Sequence, residues 1–138
     1  MDVSALMRQT YNLINAGDID GFIDLLADDF VEYEVTPGLP PTKEGVRQFF
    51  TMYKGAFPDL RFATDDILPS GDKGVARVTI TGTNNGADFM GMPPTGKSIS
   101  VQAIDIISWG DDGLAHAHWG VVDVMGMMQQ LGVVPMPG

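Results

Sequence analysis

The chain has 138 residues, with 18 Asp and Glu against 8 Lys and Arg, a formal charge of -10, and no cysteine. A field of that sign repels phosphate backbones and anionic lipid, which argues against nucleic acid and membrane surfaces as partners. The lack of cysteine removes disulfides, thiolate nucleophiles and Cys-based zinc sites.

Hydrophobic residues make up 44% of the chain and charged residues 19%, a balance that belongs to globular rather than disordered proteins. The length suits one compact domain over 1–138, because two domains would each be too small for a good core. No apolar run approaches the roughly 20 residues that cross a bilayer. The opening Met1-Asp2-Val3-Ser4 lacks the basic-then-apolar layout of a secretory signal, so a cytoplasmic location is expected.

In chain order, Val3, Leu6, Met7, Leu13 and Ile14 recur at helical spacing and predict a first helix over 3–16, with Ser4 as its cap and Gly17 beyond its end. Asp18 caps a second, short helix through Ile19, Phe22, Ile23, Leu25 and Leu26, which Asp28-Asp29 breaks. Residues 30–35 alternate and predict an edge strand, ended by the stiff loop Pro37-Gly38-Leu39-Pro40-Pro41. From Thr42 to Phe57 the period is helical again, and this third helix carries most of the aromatics, Phe50 and Tyr53 among them. Segments near 60–68, 74–84, 98–109 and 114–124 then read as strands between Gly-rich turns. A short helix over 124–131 stops at Gly132, before a Pro-rich tail. Helices first and strands later, without βαβ alternation, predict an α+β fold with helices on one face of a curved antiparallel sheet and a cavity beneath them.

Strand parity selects the candidate functional residues, because a lone polar group among apolar neighbours on one face stands out. On 98–109, Ile99, Val101, Ala103, Asp105, Ile107 and Trp109 share a face, so Asp105 is a lone carboxylate that a neighbouring Arg77 could pair. On 114–123, Ala115, Ala117, Trp119, Val121 and Asp123 share one face, and Leu114, His116, His118, Gly120 and Val122 share the other. Asp123 on the more apolar face is either a desolvated acid/base, its pKa raised toward a useful value, or the N-cap of the last helix. His118 falls on the opposite face, so pairing it with Asp123 would need a bulge. His116-Ala117-His118 has a spacing compatible with metal binding, but no Cys or obvious third ligand completes a site. The nine Met and the aromatic set, including Tyr11, Phe50, Tyr53, Trp109 and Trp119, suit either a core or a pocket for a planar apolar ligand.

Several segments, in order, carry a family likeness: Asn15-Ala16-Gly17-Asp18, Phe57-Pro58-Asp59-Leu60, Gly82-Thr83-Asn84, Gly91-Met92-Pro93-Pro94-Thr95-Gly96-Lys97, His118-Trp119-Gly120-Val121-Val122-Asp123 and Gln130-Leu131-Gly132. Together they resemble the SnoaL-like polyketide cyclase family, with Asn84 standing where many relatives carry His. The resemblance implies the nuclear transport factor 2-like (cystatin-like) fold, a cone-shaped α+β barrel of helices on a strongly bent sheet, and a homodimer formed through the outer sheet face. It implies intramolecular aldol chemistry on a hydrophobic polyketide-like substrate, without metal or organic cofactor, with Asp123 as base.

Three functions follow as expectations. The first is a cyclase, lyase or isomerase in which Asp123 is the acid/base and Asp105 or Tyr11 bonds the substrate, with Phe50, Tyr53, Trp109, Trp119, Arg77 and His118 as further binding candidates. The second is a non-catalytic small-molecule binding module in which Asp123 only caps a helix. The third is epoxide hydrolysis, for which Asp105, Arg77 and Asp123 would supply a base-positioned water and an acidic donor.

Overall fold

The structure, a computed structural model, is described for residues 1–135; the end of the predicted Pro-rich tail lies outside them. Helix α1 spans Val3–Asn15 and buries the stripe Val3, Met7, Thr10, Tyr11 and Ile14. Its cap is Asp2, whose carboxylate accepts from the Ala5 N–H at 3.0 Å. Ser4, predicted for that role, already lies inside the first turn, where its own N–H is one of the groups that need a partner. Helix α2 (Ile19–Ile23) is capped by Asp18, as its position predicts, through the Gly21 N–H.

Strand β1 (Leu26–Glu32) begins earlier than the alternation suggests, since Asp28 and Asp29 point to solvent from an edge strand instead of breaking a helix. After α3 (Lys43–Ala56) come β2 (Arg61–Ser70), β3 (Lys73–Thr83), β4 (Ser98–Trp109), β5 (Ala115–Val122) and α4 (Val124–Gln130). The sheet order is β1-β5-β4-β3-β2. Three of its four ladders are antiparallel, but β1 runs parallel to β5, so the sheet is mixed where a wholly antiparallel one was predicted. The parallel pairing is possible because the rest of the sheet lies between β1 and β5 in the chain, far longer than the crossover such a pair requires.

On β3 and β4 the alternation is regular. Ala76, Val78 and Ile80 on one strand, and Ile99, Val101, Ala103, Ile107 and Trp109 on the other, turn toward the helices and are buried. Phe57, Met7 and Trp109 fill the space between sheet and helices, each large side chain contributing roughly 1.5–3 kcal/mol by leaving water. Asn84 is buried at the end of β3, where its side-chain oxygen accepts from the backbone and hydroxyl of Thr95 and pins the 85–95 loop.

On β5 the alternation breaks. Trp109 pairs with Ala115 and Ser108 with Ala117, so one step on β4 matches two on β5 and His116 is the extra residue. Such a bulge reverses which side chains face the core. Ala115 is buried before it; beyond it His118, Gly120 and Val122 face inward, and Trp119 and Val121 face out.

Candidate active site

A cavity of about 440 Å³ opens between the concave face of the sheet and the helices, within the roughly 300–1,000 Å³ of small-molecule sites. Its walls are mainly apolar: Ile14, Phe22, Phe30, Phe49, Phe50, Phe62 and Met127 from helices and strands, and Val35, Leu39 and Pro40 from the loop after β1. That loop is held at both ends of its span. The Glu32 N–H donates to the Pro41 carbonyl at 3.0 Å, and the Pro40 carbonyl oxygen sits 1.8 Å from where a Cβ on Gly45 would stand. Only glycine lets α3 accept the loop so closely.

One wall is polar. Asp105 reaches the cavity from the core face of β4, where the alternation predicted it. It accepts from the Tyr11 hydroxyl at 2.6 Å and is bonded to His118 Nε2 at 2.8 Å. His118 Nδ1 meets Glu32 Oε2 at 2.5 Å, and the two residues are cross-strand partners in the β1/β5 ladder. Glu34 lines the cavity beside them. All of this is possible because Gly120 pairs with Asp105. A Cβ at Gly120 would fall 2.7 Å from Glu34 Oε1, 2.8 Å from Asp105 Oδ1 and 2.9 Å from His118 Cε1. A glycine inside a strand marks such a close approach.

The electrostatics follow from this packing. Burial by itself would lower the His118 pKa, but the bonds to Asp105 and Glu32 outweigh it and push the pKa up to about 10, so the ring is an imidazolium at neutral pH. Burial pushes Glu34 up to about 7; the His118 charge opposes this rise, and Asp105 and Glu32 add to it. Burial, together with Asp105, also holds the Tyr11 hydroxyl protonated. Tyr53, whose hydroxyl burial and the Glu34 charge likewise hold protonated, lines the same cavity. Its hydroxyl is buried with no hydrogen-bond partner among the described residues. Glu34, Asp105 and His118 each offer a ligand atom within 4.8 Å of the others. A metal ligand must be a neutral imidazole, however, and both nitrogens of His118 are committed to carboxylates.

Of the candidates named from sequence, Tyr11, Phe50, Tyr53, Asp105 and His118 come together around this cavity. Asp123 does not join them. It is exposed and caps α4, its carboxylate accepting from the Gly126 N–H at 2.9 Å. The bulge at His116 is the physical reason: counting residues evenly along 114–123 assigns Asp123 the wrong face. Arg77 is corrected as well. It lies on the outer face, bonded to Asp66 at 2.7 Å and near Asp65 at 3.6 Å, and does not pair with Asp105, whose parity is opposite. Trp109 is a core residue with its indole N–H directed at Met7 Sδ, and Trp119 lies on the outer face, stacked on Tyr33. The bulge also separates the two histidines, with His116 bonded at the surface to Asp112 and Asp29.

Glu32 and Glu34 are the site residues that sequence reasoning missed. The signal was the alternation Phe30, Glu32, Glu34 against Val31, Tyr33, Val35, which normally marks the Val/Tyr face as core. Here Glu32 and Glu34 turn into the cavity, Val31 and Tyr33 are exposed away from it, and Val35, in the loop after β1, lines its exposed edge.

Residues 4–131 match the family model described as SnoaL-like polyketide cyclase. Among solved structures, the chain is 31% identical to TsrD from Streptomyces laurentii, with a TM-score of 0.84 and 96% of each chain covered. It is 29% identical to IdmH, a putative polyketide cyclase from Streptomyces antibioticus, with a TM-score of 0.81, 96% of this chain and 99% of that one covered. It is 26% identical to AclR, a putative hydroxylase from Streptomyces galilaeus, with a TM-score of 0.85, 97% of this chain and 83% of that one covered. No curated protein matches the sequence.

Proposed function

The chain belongs to the SnoaL-like polyketide cyclase family, and on that premise we propose that its cavity carries out acid/base chemistry of the intramolecular aldol type on a hydrophobic, polyketide-like carbonyl compound. The observation that carries the reading is the single polar wall, Asp105, His118, Glu32 and Glu34, set in an otherwise apolar cavity. The substrate's conjugated carbonyls delocalise an enolate charge, so the protein need supply only orientation, exclusion of water and a proton acceptor. The fixed imidazolium of His118 adds a positive charge beside that chemistry. Asp105, bonded to both Tyr11 and His118, holds the wall together.

Epoxide hydrolysis loses its support, since Arg77, Asp105 and Asp123 do not converge. The binding-module reading shares the cavity but leaves the polar wall without a purpose. Solvent deuterium exchange into the activated methylene of methyl naphthoylacetate, followed by proton NMR, separates the two. We expect the wild type to accelerate exchange, Asp105→Asn to lose most of that acceleration and Asp123→Asn to keep it. Tight binding of the probe without acceleration would make the protein a binding module.

We also assign the exposed apolar face of β1, β5 and β4 to a homodimer interface. Tyr33 and Trp119 stack there with ring centroids 5.1 Å apart, beside Val121 and Ile104, and all four are exposed. A contiguous patch of that kind marks an interaction surface, and sedimentation equilibrium reads the state directly.

A further inference from the structure

The geometry points to Glu34 as the group that carries the proton in this cavity, working on a substrate whose oxygen is held by the Tyr53 hydroxyl. This inference rests on the acid/base reading above and deepens it by naming the acceptor.

The argument is one of elimination by hydrogen bonding. Asp105 is engaged by Tyr11 and by His118 Nε2. Glu32 accepts from His118 Nδ1 and sits near the Glu34 N–H. His118 has both nitrogens committed and cannot accept a proton. Of the three carboxyls that line the cavity, Glu32, Glu34 and Asp105, that of Glu34 alone takes no side-chain or backbone hydrogen bond among the described residues, so its lone pairs are free for a ligand's C–H. Every element packed around it contributes a charged or titratable group: Tyr11 from α1, Glu32 from β1, Tyr53 from α3, Asp105 from β4 and His118 from β5. The carboxyl's ordinary value is moved up to about 7 by burial, which places it where a base can take and return a proton near neutral pH.

Tyr53 supplies the second, independent observation. It is 4% exposed and its hydroxyl lacks a partner among the described residues. A buried hydroxyl left unpaired costs free energy unless something fills it, and such exceptions call for an explanation. The oxygen of a bound carbonyl compound satisfies it.

The step balances without a co-reactant. Glu34 removes a proton from the carbon between two carbonyls, and the C–H electron pair becomes an enolate whose oxygen accepts from Tyr53. The enolate carbon bonds to a further, more distant carbonyl carbon of the same molecule, whose C=O π pair becomes an alkoxide, and that alkoxide takes the proton back from Glu34. The product is an isomer of the substrate.

The test uses exchange into methyl naphthoylacetate, with its binding followed separately by Trp and Tyr fluorescence. Glu34→Gln, which keeps shape and removes the base, is expected to lower the exchange rate by about a hundredfold or more while probe binding is retained. Glu34→Asp is expected to recover part of the rate. The wild-type rate should rise with pH through an inflection near 7, and that inflection should vanish in Glu34→Gln. Tyr53→Phe should lower the rate by about tenfold, the loss of one hydrogen bond to developing charge. If the wild type accelerates exchange and Glu34→Gln matches it in rate and pH profile, the assignment is overturned while the acid/base reading stands. If the wild type binds the probe and accelerates nothing, both fall.

Discussion

His116 and His118 stand two residues apart on one strand, and each imidazole lies between two carboxylates. His116 meets Asp112 at 3.0 Å and Asp29 at 3.2 Å; His118 meets Asp105 at 2.8 Å and Glu32 at 2.5 Å. Both pKa values are raised by these partners. What differs is the solvent. The His116 side chain is 36% exposed and its partner Asp29 82%, whereas His118, Glu32 and Asp105 are all between 14% and 17%. Water screens the outer triplet and leaves the inner one to act as a fixed charge, so the same three-group chemistry is decoration outside and architecture inside.

The largest effect should come from breaking the inner triplet. His118→Gln leaves Asp105 and Glu32 facing each other with their shared cation gone, and removing one partner of a buried ionic network costs about 3–5 kcal/mol. Denaturant unfolding of the two proteins across a pH series gives the figure and its cause. A histidine whose folded pKa is raised contributes stability fully below its ordinary 6.5 and loses it as pH rises through about 10. The gap between wild type and variant should therefore narrow across that window. A gap that stays constant would mean that packing, not charge, is what His118 supplies.

Glu34 offers the opposite sign within the same wall. Its folded pKa is raised from 4.5 to about 7, so its charged form is disfavoured by the fold, and the cost appears as pH rises through that interval. Glu34→Gln should stabilise the protein above pH 7 by about 1 kcal/mol, the linkage effect reduced for the solvent that still reaches this partly exposed group. The benefit should disappear toward pH 4.5. The same substitution that removes the proposed base would thus make a more stable fold, the usual cost of a group held for chemistry.

How far the sequence reached depends on regularity. On β4 the alternation runs unbroken from Ile99 to Trp109, so Asp105 could be named from parity alone. On β5 one bulged residue, His116, inverts everything after it, and a bulge has no reliable signature in a single sequence. That single residue turned Asp123 from a helix cap into a supposed pocket carboxylate and sent His118 to the wrong side. On β1 the obstacle was different. Val31 and Tyr33 look like core positions because apolar residues usually turn inward, yet they are exposed, Tyr33 stacked on the outer face against Trp119, and the glutamates turn into the cavity. Patterning reports which residues share a face but not whether that face meets a core, a ligand or another chain. The Arg77–Asp105 pairing failed for a simpler reason: Arg77 and Ala76 have opposite parity, and it is Ala76 that lies across from Asp105.

The outer triplet gives the smallest effect and the sharpest control. His116→Gln removes a cation shared by Asp112 and Asp29, as His118→Gln does for its partners, but here water takes over the solvation of both carboxylates. The expected change in Tm is about 2 °C or less, the scale of a surface pair in a domain of this size, and moderate salt should erase it because exposed charges are screened within roughly 10 Å at 0.1 M. The loss at His118 should persist in the same salt. If both substitutions proved equally costly and equally insensitive to salt, burial would not be what separates the two triplets. The geometry of the bulge itself, which His116 forms and His118 follows, would then have to carry the stability.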